Sequence, residues 1–273
     1  MRPSPVPADR LLVLLYHNVG PSPGRAGLVA HWTEPEALRT QLRWLRAAGH
    51  TFVDAQWVVD WVAQASKPAS AGPPESQAWK PALPVSRPTL ITFDDGLANL
   101  YTHALPVLEQ EQVPALVFLV AGHVGGVTDW EAEPRWRGNP LLTWEQAREM
   151  QQRGVTFGSH TLTHPHLTAL TPEQRERELA ESKRVLEEGL ARPVETLAYP
   201  YGDFSPEIAS AARQAGYRAG FSTLPGLNSP ATDPTALRRM NVRRHAGLWQ
   251  FRRKVGKMVR LYSINGAWRL SGV

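Results

Sequence analysis

Cysteine is absent from all 273 residues. That excludes a disulfide framework, a thiolate zinc site and a cysteine nucleophile, and it leaves the redox compartment open. Long apolar runs are also missing. Leu11–Leu15 spans five residues before Tyr16 and His17 interrupt it, short of the ~7–15 of a secretory core segment and the ~18 of a bilayer span. No transmembrane segment is expected. A cytoplasmic location follows, with membrane association through the C-terminal tail and an extracytoplasmic site as the alternatives. There is no P-loop, no GxGxxG after a strand and no GxSxG elbow, so nucleotide binding and serine-hydrolase chemistry lack support. Acidic residues vanish from one end. Arg238 to Val273 carries ten Lys/Arg and no Asp or Glu, leaving 20 basic and 25 acidic residues elsewhere. The net charge of +5 therefore joins a mildly acidic body to a basic tail. Such a tail suits peripheral contact with a membrane or another polyanion, or it is simply a solvated face. No nucleic-acid partner is expected.

What is present reads as a soluble globular chain, with 42% hydrophobic and 20% charged residues. Apolar runs alternate with helical patterns. Strands are expected at Leu11–Tyr16, His50–Val53, Thr89–Phe93, Ala115–Val120, Val155–Phe157, Glu195–Tyr199 and Tyr217–Phe221. Helices are expected at Glu34–Ala48 behind a Thr33 cap, Ala55–Ala63, Ala98–Gln110, Trp144–Gln152 behind Thr143, Pro172–Gly189 behind Thr171, Pro206–Gln214 and Trp249–Val259. Ser66–Pro88 holds six prolines without periodicity and reads as a surface loop or insertion. The division is a tail over 1–10, one domain over 11–246 and a basic helix or tail over 247–273. Strand–helix alternation with apolar strands predicts a parallel sheet covered by helices, and a barrel rather than an open sheet.

A barrel gathers its chemistry at the C-terminal strand ends. Polar clusters sit there: Tyr16-His17-Asn18, Asp94-Asp95-Gly96, His160-Thr161-Leu162-Thr163-His164 and Pro200-Tyr201-Gly202. Adjacent carboxylates at a strand end point to different sides, so one can hold a metal while the other takes a proton. Two histidines four apart can share one metal, and Pro165 favours a loop over a helix between them. One Asp and two His leave a coordination position open for water, as catalytic zinc sites do. No Glu follows the first His, so the HExxH protease pattern fails. His166 reads as a loop residue, with an outer supporting role around the site as the alternative. Trp130, Trp136 and Trp144 are candidates for a sugar platform, with simple packing as the alternative. His31, His50, His103, His123 and His245 have no motif context.

TFDDG (Thr92–Gly96), HTLTH (His160–His164) and AYPYG (Ala198–Gly202) resemble the motifs of polysaccharide deacetylases, the NodB-homology or carbohydrate esterase family 4 group. The resemblance spans Leu11 to Val242. It implies a distorted (β/α)7 barrel and a metal-dependent hydrolase removing N-acetyl groups from an amino-sugar polysaccharide or glycan precursor. By the same resemblance Asp94 matches the catalytic base. Asp95, His160 and His164 match the ligands of a divalent metal, zinc by default, with cobalt, nickel or iron also accepted. Tyr201 matches the residue whose amide helps hold the oxyanion. Two departures stand out. Ala198 occupies the place where many members carry an Arg that pairs with the base, and no Leu-x-His-Asp motif supplies an acid near the C-terminus. Relatives that deacetylate poly-N-acetylglucosamine have a permuted motif order with the acid His on the first strand, and LLYHNVG fits that subgroup. His17 is then the acid. LRRMNV (Leu237–Val242) resembles a late strand of the subgroup, which makes Arg239 the candidate to orient Asp94, with a purely structural arginine as the alternative. The competing readings are a barrel that binds glycan without turnover and a membrane-peripheral polyanion-binding protein.

Overall fold

The computed structural model describes residues 10–21, 32–65, 86–130, 137–242 and 247–264. Residues 1–9, most of the Pro-rich stretch, His31, Trp136, His245 and the last part of the basic tail lie outside the described residues.

In chain order the strands are β1 (Leu12–Tyr16), β2 (Asn18–Val19), β3 (Trp32–Thr33), β4 (Thr51–Phe52), β5 (Pro88–Phe93), β6 (Ala115–Leu119), β7 (Val155–Ser159), β8 (Thr196–Ala198), β9 (Ala219–Phe221) and β10 (Met240–Asn241). The helices are α1 (Pro35–Ala47), α2 (Ala55–Ala65), α3 (Leu105–Gln110), α4 (Trp144–Gln152), α5 (Pro172–Leu190), α6 (Pro206–Gln214) and α7 (Leu248–Ile264). The main sheet runs β10-β1-β5-β6-β7-β8-β9, with β4 also beside β5. Every pairing in it is parallel. Leu237 bridges Phe221 of β9 in parallel, and the same segment runs on into β10 beside β1. The row of strands thus curls back on itself, giving a distorted (β/α)7 barrel as expected.

Strand parity sorts the core into two layers. Leu12, Leu14, Ile91, Phe93, Val117 and Leu119 pack outward with apolar residues of the surrounding helices. Leu11, Val13, Leu90, Leu116, Phe118 and Phe221 pack with Val58, Val59 and Val62 of α2. On β5 that inward parity continues from Leu90 through Thr92 to Asp94.

Thr143 and Thr171 form capping boxes with Gln146 and Gln174, as their spacing suggests. Two expectations need correction. Thr33 does not cap α1: it lies in β3, Glu34 takes the cap position without a side-chain bond, and Pro35 begins the helix. Nor is Ala98–Gln110 one α-helix. A π-type turn fills Leu100–Ala104 before α3. Pro106 has no N–H to donate to the carbonyl four residues back, so the helical ladder is broken there.

His50 is buried, with Nδ1 2.7 Å from Thr89 Oγ1. Burial, with the charge of Arg87, pushes its pKa down from 6.5 to about 4. Between those values the unfolded chain binds a proton that the folded chain refuses, so stability falls as pH drops through 6.5 toward 4. Replacing His50 by Gln should remove up to roughly 3 kcal/mol of that pH-dependent loss, read as a flatter urea-midpoint profile from pH 7 to 4.

Candidate active site

Inward parity brings Asp94 to the C-terminal end of β5, where its backbone N–H donates to Tyr16 O at 3.0 Å. Arg239 meets it from the segment leading into β10. Nη1 and Nη2 donate to the two Asp94 oxygens at 2.6 and 2.8 Å, and Nε donates to Ser222 O at 2.9 Å. The guanidinium lies over the Phe118 ring at 5.5 Å and is 0% exposed. A bidentate pair of this kind fixes the carboxylate plane. Burial alone would push the Asp94 carboxyl up; Arg239, by charge and hydrogen bond, together with His160 and His17 outweighs it and holds the pKa down to about 2.

Asp95 turns the other way. Its φ of +72° places the next carboxylate beside the two histidines. Oδ1 lies 3.6 Å from His160 Nε2 and 3.6 Å from His164 Nε2. All three donor atoms lie within 4.8 Å of one another. Ligands at ~2.0–2.2 Å from one tetrahedral ion stand about 3.3–3.6 Å apart, the spacing of Asp95 Oδ1 from each histidine nitrogen, so the set fits a divalent metal with a small closing of the cluster. His160 Nδ1 donates to Ala198 O at 2.7 Å, which leaves Nε2 as the lone-pair nitrogen. Burial lowers the pKa of both rings, that of His164 to about 2, so both are neutral at neutral pH.

Asp95, Thr161, His164 and Tyr201 all have φ between +59° and +72°. Each such non-glycine residue costs on the order of 1–3 kcal/mol, and four around one cleft mark stored strain. Local bonds hold it: Ser159 Oγ accepts Thr161 N–H, and Thr161 Oγ1 accepts His164 N–H, both at 3.1 Å.

His17 follows β1 directly, close enough for its charge to act on Asp94 and His164. Tyr201 sits in the turn Pro200–Gly202 after β8, with its ring 4.8 Å from that of His164. All seven candidate residues therefore converge at one end of the barrel. Trp130 stacks on His164 at 4.9 Å and meets His123 edge-on at 5.2 Å, so it packs on the ring of a candidate ligand. Trp144 lies apart, on α4 against the core. His166 is more than a loop residue. Its ring stacks on Tyr201 at 3.9 Å, and Nδ1 lies 2.6 Å from Asp203 Oδ2.

Glu178 on α5 is the contact that motif reading missed. Its Oε2 accepts Leu162 N–H and Thr163 N–H at 2.9 Å each, and Oε1 accepts Thr163 Oγ1–H at 2.6 Å. Those residues form the loop between the two histidines. Glu178→Ala should weaken metal binding by about 10–100-fold, the usual effect of losing support behind a ligand. Calorimetric titration with zinc checks it, and wild-type affinity would count against the support role.

Residues 84–220 match the family model described as polysaccharide deacetylase. Asp94, Asp95, His160, His164 and Tyr201 fall inside that span. YxkH of Bacillus subtilis (strain 168), named for the same family, is 30% identical over 233 residues, covering 85% of this chain and 71% of that protein. The poly-beta-1,6-N-acetyl-D-glucosamine N-deacetylase of Staphylococcus aureus (strain MRSA252) is 26% identical over 145 residues. That alignment covers 50% of this chain and 48% of the relative, so the match spans about half of each. The solved structure of IcaB from Ammonifex degensii superposes with a TM-score of 0.71 at 26% identity, over 92% of this chain and 97% of that one.

Proposed function

The chain belongs to the polysaccharide deacetylase family, and from that premise we propose that it is a metal-dependent hydrolase removing N-acetyl groups from an amino-sugar polymer. The observation that carries this reading is the Asp95–His160–His164 donor set beside an ionised Asp94. A divalent ion held there, zinc suiting the oxygen and nitrogen donors, would polarise the acetamide carbonyl and lower the pKa of a bound water to about 7.

The chain's own residues supply the rest. Asp94 accepts the proton of the attacking water, and Arg239 keeps its acceptor oxygen aimed. The Tyr201 amide donates toward the oxygen where negative charge develops. His17 donates a proton to the departing amine, without which an amide bond does not release its nitrogen. Poly-β-1,6-N-acetylglucosamine is the first substrate to try, because a relative with that activity in its name aligns with half of this chain at 26% identity. A barrel that binds glycan without turnover would not need the base, the acid and three ligand atoms together.

The test is acetate release from β-1,6- and β-1,4-linked N-acetylglucosamine oligomers, with zinc or with chelator. Zinc-dependent release is expected. Folded, zinc-loaded protein that releases no acetate from any acetylated glycan would overturn the reading.

A further inference from the structure

The α7 helix has one apolar face and one cationic face. Phe251, Val255, Met258 and Val259 are buried, and Phe251 meets Trp44 of α1 edge-on at 5.9 Å. The opposite arc carries Trp249, Gln250, Arg252, Arg253, Lys254 and Lys257, all exposed. No Asp or Glu occurs anywhere in the helix. Trp249, Arg253 and Lys257 follow at four-residue intervals, so they form one row along the outer surface.

A solvated helix face would be expected to mix signs, and the neighbouring helix does engage its cations. Arg39, Arg43 and Arg46 of α1 all reach the nearly buried Glu111. Among the described residues, Arg252, Arg253 and Lys257 have no carboxylate partner. Arg252 lies over Trp44 at 5.6 Å and Arg253 over Trp249 at 5.5 Å. Trp249 is 67% exposed, the most exposed of the large hydrophobic side chains described. A tryptophan with a row of cations is the pattern of an element seated at a lipid headgroup layer, where the ring enters the interface and the charges meet anionic heads. Lys254 donates to Asn241 O. That bond brings Lys254 of α7 to the C-terminal end of β10.

We propose that the Trp249–Arg253–Lys257 face of α7 docks the protein on an anionic lipid surface. The occupant is the bilayer rather than a soluble polyanion, because the exposed indole shares one row with the cations, as an element lying at a headgroup layer requires.

The test is co-sedimentation of the full chain with vesicles of phosphatidylglycerol and phosphatidylcholine, against phosphatidylcholine alone and against dextran sulfate beads. Binding should require phosphatidylglycerol and fall as salt rises. Arg253→Glu with Lys257→Glu should lower vesicle partitioning by about tenfold or more at an unchanged melting temperature, and Arg253→Gln with Lys257→Gln should lower it less. Trp249→Ala should weaken vesicle binding without changing retention on dextran sulfate. Absence of phosphatidylglycerol-dependent binding, undiminished binding in both charge variants, or retention by dextran sulfate alone would each overturn the proposal. None of these readouts depends on deacetylation.

Discussion

Asp94→Asn should bind zinc as the parent does and release acetate ~10²–10⁴-fold more slowly, the usual cost of removing a positioned base. The side chain sits inside the barrel, whereas the proposed ligand set is built on Asp95, which turns away from it through a left-handed backbone. Metal affinity and turnover should therefore separate in this variant. A folding effect accompanies the kinetic one. Arg239 is fully buried and its two terminal nitrogens are directed at Asp94. An amide in that place leaves a buried guanidinium without its counter-charge, at a cost of about 3–5 kcal/mol. Asp94→Asn with Arg239→Met removes both members and should recover much of that stability without recovering turnover. Three measurements decide the matter: zinc titration calorimetry, acetate release and urea unfolding. Turnover at the parental rate in Asp94→Asn would remove Asp94 from the mechanism.

Much of this site was legible because it is local. Strand parity puts Thr92 and Asp94 on one face of β5, and a short motif places His160 and His164 on one loop. The barrel was legible for the same reason, since alternating apolar strands and capped helices leave few other packings. The contacts that resisted reading are those between distant segments. Glu178 reaches the loop between His160 and His164 from the first half of α5, and nothing in its helix distinguishes it from the other glutamates there. His166 and Asp203 meet across 37 residues. Arg239 could be nominated only by resemblance, because its partner lies 145 positions earlier in the chain. The left-handed conformations of Asp95, Thr161, His164 and Tyr201 had no composition signal either. None of these residues is glycine, and their strain is sustained by the surrounding bonds rather than by their own preferences.

Arg239→Met should be the variant that most changes how the protein responds to pH. With the arginine present, the folded-state pKa of Asp94 is about 2, below the ordinary 3.8. The folded chain then refuses a proton that the unfolded chain accepts. Asp94 therefore stabilises the fold above about pH 4, and that contribution is lost as pH falls toward 2. Without the guanidinium, burial, already the largest single influence, is opposed only by His160 and His17, and the pKa should rise above its unfolded value. The sign reverses: the folded chain now holds the extra proton, and stability declines as pH rises through the unfolded pKa toward the raised one. At neutral pH the variant carries a buried carboxylate stripped of its partner, at a cost of about 3–5 kcal/mol. Its activity should lose the acidic side of its range, because a protonated Asp94 cannot accept a proton from water. Zinc affinity should change little, since Arg239 bonds to none of Asp95, His160 and His164 and is engaged instead by Asp94, Thr92 and Ser222. Urea midpoints across pH 3–8, set beside the pH–rate profile, test both halves. A rate profile with the parental acid limb would mean that Arg239 supports the fold without setting the protonation of Asp94.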